Sequence, residues 1–135
     1  MNGRDFLDIA RELSRGTTEA HWRAAAGRAY YALLLEGWAA LEQWGFQVAK
    51  QQVHALVRLK FTYANNADLR AIGDALDELV RLRNEADYQL KSRRSFSDGK
   101  AAIKAIQTAD TALALLDQIV ADPQRRAAAI GSIQP

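Results

Sequence analysis

The chain has no cysteine among its 135 residues. That excludes disulfide frameworks and thiolate metal sites, and it agrees with a reducing cytoplasm. Proline occurs only at Pro123 and Pro135, so residues 1–122 contain no helix-breaking ring. No stretch of useful length alternates apolar and polar residues, which removes the usual strand signal. Long apolar runs are missing as well. Stretches such as AYYALLL fall far short of the about 20 residues that a bilayer requires. The opening MNGRDFLDIA lacks the basic-then-apolar pattern of a secretion signal. The expectation is a soluble cytoplasmic protein with no membrane contact. Net charge is also scarce, at +2, which permits contact with nucleic acid without arguing for it.

What remains is rich in alanine and leucine, both strong helix formers. A chain of this length suits one domain and buries roughly two-thirds of its unfolded surface. The breaks between apolar periods predict five helices, at about 4–14, 19–44, 51–61, 68–91 and 99–121. Thr17 or Thr18 can cap the second, because a hydroxyl accepts a bond from an otherwise unpaired helical N–H. Gly45 stops it. Asn66 or Ala67 lies at the start of the fourth, and Ser97 or Asp98 at the start of the fifth. Asp122-Pro123 closes the fifth, since a residue before proline avoids the helical region. Residues 1–121 then form the domain and residues 122–135 a flexible tail. Long helices with short breaks predict an all-α antiparallel bundle of four to five helices.

Two helices carry charge where apolar residues should fall. In the fourth, the series Leu69, Ile72, Leu76, Leu79 and Val80 continues into Arg83, Ala86, Asp87 and Leu90 on one face. Arg83 and Asp87 are four apart and can pair; Asn84 and Tyr88 form the adjacent stripe. In the second, one stripe runs Trp22, Ala26, Ala29, Leu33 and Ala40. Another runs Ala24, Arg28, Tyr31, Leu35 and Trp38, so Arg28 interrupts it beside Tyr30 and Tyr31. A charge carried towards an apolar interior needs a partner, and Asp87 is in place to hold Arg83, with Arg28 near enough to share the carboxylate. Lys91, Arg93 and Arg94 follow as a basic rim. A structural ion pair explains the same pattern without any ligand. His21 and His54 read as surface or packing residues, and two separated histidines make a poor metal site. Neither metal nor cofactor is expected. The three tryptophans read as packing residues.

The stretches RAAAGRAYYALLLEGWAAL in the second helix and LRNEADYQL at the end of the fourth resemble the HEPN family (higher eukaryotes and prokaryotes nucleotide-binding domain). The first is similar to the family's SRAYYA helix, the second to its R-x-x-A-D-Y element, and the resemblance spans about residues 4–121. It implies a HEPN-like bundle, usually a homodimer, with a polar cleft around the arginine of the fourth helix, here Arg83. It also implies a nucleotide- or RNA-binding role. Many members are metal-independent ribonucleases, often toxins paired with a small nucleotidyltransferase antitoxin, or parts of defence systems.

In those ribonucleases a histidine follows the arginine after four to six residues. Here Arg83-Asn84 is followed by Tyr88 at the first such position and by Gln89 and Leu90 at the next two. Imidazole moves protons near neutral pH; a phenol, with a reference pKa of about 10, is a poor base there. Weak or absent cleavage is therefore expected, with Arg83, Asn84 and Tyr88 as the catalytic set if any remains. Arg28, Arg83, Asp87, Tyr88, Lys91, Arg93 and Arg94 are the candidate binding set. Three functions fit: nucleotide or nucleic-acid binding beside a nucleotidyltransferase-type antitoxin, an atypical ribonuclease, and a purely structural interaction module.

Overall fold

A computed structural model describes residues 2–91 and 95–135. In order these form α1 Gly3–Ser14, α2 Glu19–Gln43, a 3₁₀ turn Lys50–Gln52, α3 Val53–Thr62, α4 Ala67–Tyr88, α5 Lys100–Ala121 and α6 Pro123–Ser132. Among the described residues there is no strand. The protein is an all-α bundle. No helix among these residues is long and apolar enough to cross a membrane.

Short polar side chains start most of the helices. Asn2 Oδ1 accepts from Arg4 N at 2.9 Å while Asp5 Oδ2 accepts from Asn2 N at 2.8 Å, a reciprocal cap for α1. Thr18 Oγ1 accepts from His21 N for α2, and Asn66 Oδ1 from Leu69 N for α4. Asp98 Oδ1 accepts from Lys100 N, so it serves α5 from one residue before the cap position, which Gly99 holds. Gly45 follows the end of α2 with φ of 95°, a left-handed turn that costs glycine little.

Helix α2 runs through the middle, packed against α1, α3, α4 and α5. It buries residues on nearly every side, including Ala25, Ala26, Tyr30, Leu33, Leu34 and Leu41. That is the pattern of a helix surrounded by others. Its second stripe is covered in part within the same chain: Tyr31 packs on Phe6 of α1 and Trp38 is half-buried against the core, while Ala24 is exposed. All three tryptophans pack partly against that core. Helices α3 and α4 meet at a tight corner. A Cβ on Gly73 would fall 2.8 Å from the Thr62 backbone, so only glycine permits the approach.

The C-terminal segment corrects the expected flexible tail. Residues from Pro123 form α6, with Ala129 fully buried and Ile133 nearly so. Asp122 accepts from Gln124 N and Arg125 N, and Pro123 occupies the first turn. The Asp-Pro pair that ends one helix thus begins the next, because proline is favoured where its missing N–H would be unpaired anyway. Further anchors are Arg125 on Asp68 at 3.0 Å and Asn65 N donating to Ser132 O at 3.3 Å.

Candidate functional site

The face that turns polar in α4 does so at its last turn. Ala86 remains buried, whereas Asp87, Tyr88, Gln89, Leu90 and Lys91 are exposed. Arg83 stands at this transition, its side chain 16% exposed. Its Nη2 donates to Tyr31 Oη at 2.9 Å and its Nη1 to Asn84 Oδ1 at 3.3 Å. Asp87 Oδ2 lies 3.0 Å from Nε, close enough for ion pairing but out of line for a hydrogen bond, so Nε is buried without an acceptor. The guanidinium carbon also sits 5.4–5.9 Å from the ring centres of Tyr30, Tyr31 and Tyr88. Aromatic faces attract a guanidinium and restrict its motion, so Arg83 is a positioned cation.

The expected Arg83–Asp87 pair forms. Arg28 joins differently: its guanidinium lies over Phe6 and Tyr31, at 5.3 and 5.2 Å, rather than on Asp87. Asn84 and Tyr88 sit beside Arg83, Tyr88 being 70% exposed. Lys91 is exposed just past α4. Arg93 and Arg94 lie outside the described residues.

Two residues that sequence reasoning passed over belong here. The first is His54, at the start of α3. Its Nδ1 is 2.8 Å from Tyr30 Oη, its ring stacks on Tyr30 at 5.8 Å and meets Tyr31 edge-on at 5.7 Å. Burial pushes the imidazole below its ordinary range, and the Arg83 charge adds to that. Burial likewise holds the Tyr30 phenol up at about 12, despite the opposing pull of Arg83 and Arg58, so it stays protonated at neutral pH. Tyr30, Tyr31, His54 and Arg83 form one contiguous cluster drawn from three helices.

The second is Arg23, buried inside α2. Its Nη1 donates to Glu85 O and Ala86 O, both at 2.9 Å, and its Nη2 to Gln89 O at 3.3 Å. Glu19 pairs with it, and Phe96 lies under its guanidinium at 4.9 Å. These carbonyls lie at the end of α4, where Glu85 O also accepts from Gln89 N, the last acceptors run out of helical donors and the helix dipole favours a cation. Spacing held a signal: Arg23 begins the stripe Gly27, Tyr30, Leu34, Gly37 and Leu41, all buried.

The larger hollows carry less chemistry. One of about 690 Å³ is lined by Glu42, Gly45, Gln47, Val48 and Ala49, one of about 480 Å³ lies along α4 between Asp74 and Glu85, and one of about 410 Å³ separates α4 from α5. None of the three combines a positioned cation with a titratable ring. Among the described residues no group of three or more His, Asp or Glu side chains gathers to hold a metal. No protein-family model matches the chain, and no curated protein or solved structure matches it.

Proposed function

We propose that this is a HEPN-like protein that binds the phosphate of a nucleotide or nucleic acid at Arg83. The observation that carries the reading is the seat of that guanidinium, held by Tyr31, Asn84 and Asp87 at a helix end that turns from core to solvent. A fixed planar fork suits phosphate oxygens, and Arg28, over the same Tyr31 ring, adds a second positive charge. The partners proposed with this role are a second copy of the chain and a nucleotidyltransferase-type antitoxin, in a toxin–antitoxin or defence pair. The sequence resemblance supports these partners, not the shape of the site.

A weak metal-independent ribonuclease using Arg83, Asn84 and Tyr88 is the second reading. It is favoured by the exposed phenol of Tyr88 beside the guanidinium. The test for both is fluorescence anisotropy of a labelled RNA tetramer across a salt series, with the same RNA run on a gel after incubation in chelator. The binding reading expects salt-sensitive association that Arg83→Ala removes while the fold persists, and intact RNA on the gel. Cleavage abolished by Arg83→Ala would promote the ribonuclease. No association at any salt would leave the cluster structural.

A further inference from the structure

We propose that His54 is a second phosphate contact beside Arg83, and that together they select a terminal phosphate monoester over an internal phosphodiester. This rests on the reading of Arg83 as a phosphate site and adds to it a specificity and a residue.

The geometry leaves one edge of the imidazole available. Nδ1 is engaged by Tyr30 Oη at 2.8 Å, so Nε2 is the free nitrogen of an exposed residue. With the phenol donating, the neutral ring carries its proton on Nε2. On protonation the bond to Tyr30 reverses, and Nε2 keeps its N–H. Tyr30 therefore orients the ring in both charge states. Tyr31 links the two contacts, its hydroxyl accepting from Arg83 and its ring against His54.

Charge supplies the selectivity. The charged and titratable groups against the His54 ring are Tyr30 and Tyr31 from α2 and Arg83 from α4; Arg58, on α3 itself, acts on Tyr30. The nearest full charge acting on the ring is thus positive, and the free protein resists a second one. A diester brings one negative charge, which Arg83 meets in competition with Asp87, its ion-pair partner at 3.0 Å. A monoester approaches two at neutral pH, and the second can be met by a protonated imidazole. By linkage, a ligand that prefers the protonated ring must raise its pKa. The monoester can be a free 5′-nucleotide or the phosphorylated end of an RNA; the chemistry at the site is the same.

The experiment uses the full chain and three probes: AMP, a four-adenosine RNA with a 5′-phosphate, and the same RNA with a 5′-hydroxyl. At pH 6 the phosphorylated RNA is expected to bind roughly tenfold more tightly than the hydroxyl form, the size of one added charge-assisted contact. The preference should shrink as pH rises, and His54→Gln should reduce it to about twofold or less. NMR titration of the His54 ring C–H in the unaltered protein should show its midpoint moving up with AMP. This needs no variant to fold. AMP binding as tightly as the phosphorylated RNA would make the free nucleotide a sufficient ligand, whereas much weaker AMP binding assigns the site to RNA ends; both outcomes support the monoester site. Equal binding of the two RNAs, a preference that survives His54→Gln, or a His54 midpoint that saturating AMP leaves in place overturns the inference. In those cases Arg83-dependent binding of both RNAs leaves the broader reading standing. Absence of binding by all three probes removes both.

Discussion

Arg23 and Arg83 both reach the end of α4, and they are used in opposite ways. Arg23 comes from α2, is almost wholly buried, and donates to the backbone carbonyls of Glu85, Ala86 and Gln89 while pairing with Glu19. Arg83 comes from α4 itself, is part-exposed, and rests on side chains: two phenol rings of α2, a neighbouring amide and a half-solvated carboxylate. One guanidinium closes a helix. The other is held in place by side chains, with its Nε buried and without a hydrogen-bond acceptor. The contrast teaches that two guanidiniums at one helix end can be seated in different ways: Arg23 mainly by the carbonyls that end the helix, Arg83 by side chains of two helices.

The comparison breaks most sharply on stability. Arg23→Leu strips the donors from three carbonyls at the α4 terminus, and is expected to cost about 3 kcal/mol in urea unfolding. A loss below about 1 kcal/mol would mean that water replaces the guanidinium easily, and the contrast with Arg83 would collapse. Next in size is Arg83→Ala, expected to leave stability within about 1 kcal/mol because its ion pair is partly wet, while lowering RNA affinity by about tenfold or more. An unfolded Arg83→Ala would place both arginines in the same structural role.

Asp87→Ala should be milder. The carboxylate side chain is 41% exposed, so the loss is expected to be about 0.5 kcal/mol or less by thermal melting. A buried pair would have cost several times more. The smallest effects are pH-linked and concern the ring pair beside Arg83. His54 has its folded pKa lowered, mainly by burial and then by Arg83. The unfolded chain takes up that proton first, so this contribution to stability falls as pH drops below about 6.5. His54→Gln should flatten that limb. Tyr30 has the opposite sense: raised to about 12, it stays protonated after the unfolded phenol begins to ionise near pH ~10. Stability should therefore decline as pH rises through that interval, with a late absorbance step near 295 nm. Tyr30→Phe should remove the step.

The helices were legible because their evidence is local. Apolar spacing and cap residues place α1 to α5 within a few residues of where they lie, and Arg83 with Asp87 stands out because both break one periodic face. His54 was not legible. Its partners are Tyr30, 24 positions away, and groups on two other helices, and no spacing rule links them. Arg23 was only partly legible: its spacing marks a buried stripe, but the carbonyl groups it recognises are present in every sequence. The sixth helix was lost to a one-sided reading of Asp122-Pro123, a pair that ends one helix and caps another.

That sixth helix changes where this protein can be cut. Composition places a convenient fragment boundary near residue 121, but such a cut would discard Ala129 and Ile133 from the core, the Arg125–Asp68 ion pair and the bond from Asn65 to Ser132. The ion pair and the bond tie α6 to the corner joining α3 to α4, and those two helices carry His54 and Arg83. A shortened fragment would retain every residue of the cluster but not these supports, so a loss of RNA binding by it would report on a missing strut as much as on the cluster.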